Sequence, residues 1–155
     1  SLLAFNDLFI GARSHVSAHY EIAQGGRRET QSSSGIIVST GAGSSGWLQS
    51  VYAGAAGVVR ALGGQMAAPP DQGRLPWDSD QLIYSVREPF PSKASQASLV
   101  FGSIAADRPL TLTSQMADNG VIFSDGMEDD FLAFNAGSTA KISLAPNTAR
   151  LVVAA

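Results

Sequence analysis

The 155-residue sequence predicts a single, mainly β domain: an antiparallel β-sandwich of about ten strands with one main α-helix. Short runs of Val, Ile, Leu and Phe follow one another at short intervals, separated by Gly, Pro, Asp and Ser. Only the stretch from Ser44 to Leu62 has apolar residues at the three-to-four spacing of a helix, and Gly63-Gly64 provides a stop. Because strands joined by short turns pair antiparallel, two sheets packed face to face are expected.

The individual elements follow from these runs in chain order. Two strands open the chain, and the polar stretch AQGGRRETQSSS at 23–34 is predicted to be a turn before the strand GIIVST. Residues 64–80, after the helix, contain three prolines and two glycines and are predicted to form a loop. The strands are expected at 2–11, 15–23, 35–40, 82–88, 97–104, 110–115, 120–125, 131–134, 140–145 and 149–153.

The composition excludes several classes of function. Apolar residues make up 45% of the chain and charged residues 15%, which predicts a well-covered core rather than disorder. The absence of cysteine excludes disulfides and thiolate metal sites and favours a cytoplasmic location. A net charge of -3, with only Arg27-Arg28 adjacent, argues against nucleic-acid binding, and no apolar run approaches the length of a membrane span. The chain starts inside a strand without Met, so we expect it to be part of a larger protein.

The junction between the strand at 35–40 and the helix is rich in glycine. Gly41–Gly46 matches G-x-G-x-x-G, but no acid lies between Glu29 and Asp71, and strands and helices do not alternate, which argues against a dinucleotide-binding Rossmann domain. No Lys follows the glycines, so a Walker loop is excluded. Accessible glycine backbone, free N–H groups of the first helical turn and the hydroxyls of Ser44 and Ser45 predict an anion or nucleotide cradle. A plain strand-to-helix turn with a Ser cap is the alternative.

Other polar motifs are predicted to be structural. His15 and His19 are four residues apart but have no third ligand nearby. The acidic stretch Asp125–Asp130 lacks the alternating acids of a calcium loop and favours a solvated hairpin turn. No G-x-S-x-G elbow of a serine hydrolase occurs. The residues of these motifs therefore predict no metal site and no serine-hydrolase nucleophile.

Three segments together carry a family resemblance: AFNDLFIG at the start, SSGIIVSTGAGSSGW at 33–47 and FSDGMEDDFLAF at 123–134. They resemble, in that order, the Asn-Glu strand, the segment D-G-x-x-x-S-T-P-T-G-S-T-A-Y and the later Asp-Gly turn of the carboxyl-terminal half of NAD kinases. Ser34 stands where the common bacterial pattern has Asp, Gly41-Ala42 replace Pro-Thr, and Gly46-Trp47 replace Ala-Tyr. Similar departures are found in the mitochondrial-type branch of the family. The segments AHYEI at 18–22 and SVREP at 85–89 also resemble that branch, so the resemblance covers nearly the whole chain.

This resemblance implies an enzyme that transfers the terminal phosphoryl group of ATP, with Mg²⁺, to the adenosine ribose 2′-hydroxyl of NAD. Residues 1–155 would be its carboxyl-terminal β-sandwich, which binds the nucleotide substrate and helps to form a homodimer or larger oligomer. The acidic Gly-Gly-Asp-Gly loop of the family is absent, since Gly25-Gly26 precede Arg27 and Gly63-Gly64 precede Gln65. Phosphoryl transfer depends on positioning and on charge neutralisation at the phosphates, and the absent loop is the part that organises the metal. We therefore expect the isolated chain to be inactive.

The resemblance also implies a set of substrate-binding residues. Asn6 would contact the adenosine of NAD, Asp7 would hold a ribose hydroxyl, and Trp47 would stack on the adenine or belong to the core. Ser34 stands at the position of an Asp in the common pattern. Asp125 stands in the later Asp-Gly turn and is a possible further site residue. The donors that would line the site are Thr40, Gly41, Gly43, Ser44, Ser45 and Gly46.

Two other functions remain open. A lipid kinase of the diacylglycerol or sphingosine type shares the two-domain plan, but it should lack the Asn-acid pair and have a more apolar groove. A non-catalytic nucleotide-binding or assembly module is the other alternative.

Overall fold

The computed structural model describes residues 1–67, 70–127 and 129–150. These residues form ten strands, one α-helix and two short 3₁₀ turns. In chain order the elements are β1 (Asp7–Ala12), β2 (Ala18–Gln24), β3 (Arg27–Ser33), β4 (Ile36–Ser39), a 3₁₀ turn (Gly43–Ser45), α1 (Trp47–Ala61), a second 3₁₀ turn (Pro70–Gly73), β5 (Leu82–Val86), β6 (Phe101–Ile104), β7 (Leu110–Ser114), β8 (Gly120–Ser124), β9 (Phe131–Ala133) and β10 (Thr139–Ile142).

The strands form two antiparallel sheets that pack face to face. The six-stranded sheet has the order β6-β5-β4-β1-β8-β9, and the four-stranded sheet has the order β10-β7-β2-β3. Alternate side chains of each strand point between the sheets, among them Ile10 and Ile36 from the first sheet and Ile22 and Leu112 from the second. These side chains are 0–1% exposed, so the predicted mainly β sandwich is confirmed.

The prediction of a turn over 23–34 is wrong. The chain turns at Gly25-Gly26, both with positive φ, and Arg27–Ser33 then pair with β2 along their whole length. The inward-facing residues of β3 are Glu29, Gln31 and Ser33, all buried and all polar. Strand β3 therefore lacks the alternation of apolar and polar residues by which strands are predicted.

Hydrogen bonds satisfy the polar groups that β3 buries. The Tyr20 hydroxyl lies 3.0 Å from Gln31 Oε1 and 2.7 Å from Ser33 Oγ. The Glu29 carboxylate accepts N–H bonds from Ser98 at 2.9 Å and Leu99 at 2.7 Å. A buried polar strand is stable when its groups are paired in this way.

Several predicted boundaries also shift. Strand β1 begins at Asp7 rather than at residue 2, and β6 covers only the second half of the predicted 97–104. Of the last predicted strand, 149–150 are not in a strand, and 151–153 lie outside the described residues.

Helix α1 lies on the outer face of the six-stranded sheet. Ile37 is fully buried although its neighbours Ile36 and Val38 point into the core, and α1 contacts β4 on that outer side. Within α1 only Leu48 is buried, while Val58 is 61% exposed, and Leu62 beyond the helix end is 82% exposed. No helix in the described part of the chain is long and apolar enough to cross a membrane.

Candidate functional site

A cavity of about 300 Å³ lies where β1 begins and β4 leads into α1. The antiparallel register places Asp7 opposite Ser39 at the end of β4, and Leu8 opposite Ser124 at the end of β8. The start of β1 is thus flanked by the glycine-rich junction on one side and by the β8–β9 turn on the other. The cavity is lined by Asn6, Asp7, Phe9, Ala42, Gly43, Ser45, Gly46, Trp47, Phe123, Asp125 and Gly126, of which seven were predicted from the sequence.

The two predicted polar residues of β1 differ in how they are held. Among the described residues, the Asn6 side chain has no hydrogen-bond partner, so its amide is available at the cavity. The Asp7 Oδ1 accepts a hydrogen bond from the Ser39 hydroxyl. Burial raises the pKa of Asp7, the Ser39 bond opposes this increase, and the negative charge of Asp125 adds to it.

Asp125 is bound to the backbone that precedes β1. Its Oδ2 accepts the N–H of Phe5 at 2.9 Å, and its Oδ1 accepts those of Asn6 at 2.6 Å and Asp7 at 3.2 Å. The expected hairpin is confirmed, since β8 and β9 pair antiparallel on either side of the turn that Asp125 begins; Glu128 of the predicted stretch lies outside the described residues. The carboxylate has a second role in this turn, as an acceptor for three consecutive N–H groups.

Two of the predicted glycines are required by close packing within the protein. A Cβ on Gly43 would lie 2.6 Å from the carbonyl carbon of Asn6 and overlap its oxygen, and one on Gly41 would overlap the Pro76 carbonyl oxygen. The sequence interpretation that these glycines leave room for a ligand is therefore corrected: protein backbone fills the space. Gly46 is exposed at the cavity, and its nearest neighbour, the Gly43 carbonyl oxygen, would be 3.4 Å from a Cβ.

Two predicted hydroxyl donors are occupied by internal bonds. Ser44 is 1% exposed, donates to the Gly41 carbonyl at 2.7 Å and accepts from the Leu75 N–H at 2.9 Å. Thr40 Oγ1 donates to the Phe5 carbonyl at 2.6 Å and accepts from the Gly43 N–H at 3.1 Å. Ser44 and Thr40 therefore shape the junction, and neither has the free hydroxyl that the sequence interpretation assigned to it.

The beginning of α1 faces the cavity without a side-chain cap. Its N-cap residue is Gly46, so the alternative of a Ser-capped turn does not describe this helix. The first N–H groups of an α-helix have no partner within the helix, and they form the positive end of its dipole. Ser45 is exposed and places a hydroxyl donor beside Asn6, whereas the Gly46 N–H already donates to the Gly43 carbonyl at 2.9 Å. The positive potential at the cavity therefore comes from the first N–H groups of α1 itself.

Three aromatic rings form one wall of the cavity. Phe9 stacks on Trp47 at 5.9 Å between ring centroids and on Phe123 at 5.0 Å. The Arg87 guanidinium lies 5.5 Å from the centre of the Trp47 ring. Phe9, Phe123 and Arg87 are not recognisable as cavity residues from the sequence. Phe9 and Phe123 are 114 positions apart, and only the pairing of β1 with β8 brings the two phenyl rings together.

Ser34 and the two histidines lie away from this cavity. Ser34 is exposed in the turn before β4, at the opposite end of that strand from Thr40, and its N–H donates to the Arg87 carbonyl at 2.9 Å. It lines neither of the cavities described here. His15 and His19 are exposed, and among the described residues no three His, Asp or Glu side chains gather in a way that could hold a metal.

A second, larger cavity of about 540 Å³ opens at the edge of the sandwich. Its lining is mostly apolar and includes Phe5, Leu8, Trp77 and Leu144. Thr40 and Gly41, predicted for the nucleotide site, line this second cavity rather than the first. The two cavities meet at Ala42, which lines both.

The fold resembles that of a solved enzyme. A crystal structure of an NAD kinase from Archaeoglobus fulgidus in complex with ATP matches 91% of this chain with a TM-score of 0.53 and 17% sequence identity. The match covers 46% of that chain, so this protein chain spans about half of the archaeal kinase. No protein-family model matches the sequence, and no curated protein matches it. At this identity the likeness establishes the fold, and the expected NAD kinase-type fold is confirmed.

Proposed function

We propose that this chain is the nucleotide-substrate-binding domain of an NAD kinase. In its full-length form the enzyme would transfer the terminal phosphoryl group of ATP to the adenosine ribose 2′-hydroxyl of NAD, giving NADP in the cytoplasm. One observation carries the proposal: the cavity gathers Asn6, Asp7 and the uncapped start of α1 against an aromatic wall. Its support is the fold shared with an ATP-bound kinase. The residues at 34, 41–42 and 46–47 favour the mitochondrial-type branch.

Each part of the cavity suits a different part of NAD. The Asn6 amide can both donate and accept, as the edge of an adenine requires, and the Asp7 carboxylate can accept a hydrogen bond from a ribose hydroxyl. The N–H groups at the start of α1, near Ser45 and Gly46, suit the negatively charged pyrophosphate. Stacking of a base on an aromatic ring contributes about 1–3 kcal/mol, and Trp47, the first residue of α1, supplies such a ring to the cavity.

The remaining predicted residues have supporting roles in this proposal. Gly43 and Ser44 hold the junction in shape, and Thr40 and Gly41 line the larger cavity. Ser34 stays a prediction without support from its position. Asp125 accepts hydrogen bonds from the backbone N–H groups of residues 5–7.

No chemical step is assigned to this chain. ATP would be bound with the part of the enzyme that carries the acidic loop, and the isolated chain would bind NAD without phosphorylating it. The described residues offer no cluster of three carboxylate or imidazole ligands, so they do not fit a Mg²⁺ site. The chain's contribution is to bind and orient the nucleotide.

Titration of NAD into the full-length protein tests the proposal. Asn6→Ala should weaken NAD binding about tenfold, because it removes hydrogen bonds to the ligand. Its effect on the free energy of unfolding should be small, since Asn6 has no side-chain partner in the described part of the chain. The matched control is Asn147→Ala, which removes the same group from the larger cavity. Equal affinity in the wild type and Asn6→Ala would exclude Asn6 from the site, and weakening by Asn147→Ala alone would place NAD in the other cavity.

A lipid kinase is the second candidate, and the larger cavity with its mostly apolar lining favours it. The Asn-acid pair at Asn6 and Asp7 argues against it. Phosphorylation assays of the full-length protein with NAD and with diacylglycerol separate the two functions. NAD binding without phosphorylation of either substrate would favour a non-catalytic module.

We also propose that the protein forms a homodimer or larger oligomer. The apolar side of α1 is largely exposed in a single chain, with Val58 61% exposed and Leu62 beyond its end 82% exposed. Apolar patches on a surface mark sites of association.

A further inference from the structure

The segment before β1 is held from two sides by residues distant in the sequence. Its carbonyls are bound from the end of β4: Thr40 Oγ1 donates to the Phe5 carbonyl at 2.6 Å, and the Thr40 N–H donates to the Asn6 carbonyl at 2.9 Å. Its N–H groups are bound from the end of β8 by the Asp125 carboxylate. The Asp125 N–H in turn donates to the Asp7 carbonyl at 2.9 Å, which continues the β1–β8 ladder.

The Asp125 side chain is almost fully committed to this segment. One carboxylate oxygen accepts two N–H bonds and the other accepts one, and N–H bonds to a charged acceptor are about twice as strong as neutral ones. Its backbone has φ of 53°, followed by Gly126 at 73°, which turns the carboxylate back toward β1. Asp and Asn are the side-chain residues that adopt this conformation most readily.

The bond geometry gives Asp125 a different role from ligand contact. A carboxylate facing a pyrophosphate would repel it, whereas one that binds N–H groups of residues 5–7 fixes the direction in which Asn6 and Asp7 project. Phe5 is 50% exposed, so packing of its own side chain does little to hold this segment. Without Asp125, three consecutive N–H groups at the cavity would lose their acceptor.

We propose that Asp125 is the positioning residue of the nucleotide cavity, which acts through Asn6 and the backbone of residues 5–7 rather than by touching the ligand. The three hydrogen bonds from residues 5–7 to Asp125 do not depend on a ligand, while their effect on NAD binding rests on the proposed function. Substrate affinity would then depend on a residue that lies 119 positions from Asn6 in the sequence.

A double-mutant cycle on the full-length protein tests this inference. Asp125→Asn keeps the volume and the tolerance for positive φ but exchanges one acceptor oxygen for a donor. We expect it to weaken NAD binding about tenfold in the wild type and less than about threefold in Asn6→Ala, because residues in one hydrogen-bond network are coupled. The matched control is Asp71→Asn, an exposed aspartate with φ of 49° that lines neither cavity, and it should change nothing.

A second measurement needs no ligand. Hydrogen exchange followed by NMR should show faster exchange of the amides of Phe5, Asn6 and Asp7 in Asp125→Asn, with no change at those amides in Asp71→Asn. Unchanged exchange, or equal effects of Asp125→Asn with and without the Asn6 side chain, would overturn the positioning role. If the wild-type protein does not bind NAD, the proposed function fails and so does positioning toward NAD. If it binds NAD and the cycle is additive, only the positioning role fails.

Discussion

Replacing Gly43 with alanine should destabilise the protein even in the absence of a ligand. The added methyl group would lie 2.6 Å from the Asn6 carbonyl carbon and 2.9 Å from its Cα, whereas ordinary contacts begin at 3.4 Å. The 3₁₀ turn and β1 would have to separate by about 1 Å to restore a normal distance. Overpacking of this kind costs about 1–3 kcal/mol, and backbone atoms cannot rotate away as a side chain would.

A matched control exists within the same region of the sequence. Gly57 lies on the exposed side of α1, and a Cβ there would have no neighbour within 4 Å. Gly57→Ala should therefore stabilise the protein by about 0.5–1 kcal/mol through helix propensity and the unfolded state. Urea unfolding followed by tryptophan fluorescence measures both variants, and their free energies of unfolding should change in opposite directions.

The outcome separates two explanations of the glycine pattern. If the glycines serve only to let a phosphate approach, Gly43→Ala should be as stable as the wild type and should lose NAD affinity alone. If Gly43 serves the packing of the turn on β1, stability falls first and affinity falls with it. A stable Gly43→Ala protein would refute the packing argument.

Two further predictions concern the buried carboxylate and the assembly. Burial raises the pKa of Glu29, but the N–H bonds from Leu99, Gln31 and Ser98 outweigh burial and lower the pKa below its ordinary 4.5. The ionised Glu29 therefore stabilises the folded state above pH 4.5, and this stabilisation is lost as the pH falls through the lowered pKa. Glu29→Gln should cost about 1–2 kcal/mol in urea unfolding at pH 7 and progressively less as the pH falls through the lowered pKa of Glu29. Glu21→Gln, which alters an exposed pair with Arg28, is the control, and a loss of stability independent of pH would contradict the role of the Glu29 charge. Sedimentation should give a dimer or larger oligomer that Val58→Lys weakens and Lys93→Ala does not; a monomer at all concentrations would reject assembly.

Much of the fold could be predicted from the sequence because most inward-facing positions are apolar. Strands β2 and β7 show it clearly, with Tyr20, Ile22, Leu110 and Leu112 all buried at every second position. Strand β3 was not predicted because its inward-facing residues are polar. The N–H groups of Ser98 and Leu99 that bind Glu29 are about 70 residues away in the sequence. Periodicity records the character of a side chain, while burial of Glu29 depends on donors that only the folded chain brings near.

Seven of the predicted site residues line one cavity, but the internal contacts of several others were not predicted. Asn6, Asp7 and the 43–47 junction meet at one cavity because strand pairing brings the two segments together. The roles of Gly43 and Ser44 could not be predicted, since the groups that they contact, the Asn6 carbonyl and the Leu75 N–H, lie about 30–40 residues away. The sequence indicates where donors occur but not whether they are already occupied.

That distinction divides the predicted site residues into two sets with different expected behaviour. Thr40, Ser44 and Asp125 have their polar atoms occupied by internal hydrogen bonds, so changing them should alter stability and affinity together. Asn6 and Ser45 have side chains without partners among the described residues, so changing them should alter affinity alone. A ligand can gain binding energy chiefly from groups that the fold leaves unpaired, and these two side chains and the uncapped start of α1 meet beside the aromatic wall. Their convergence, more than the glycine pattern itself, is the physical argument for a nucleotide at this position.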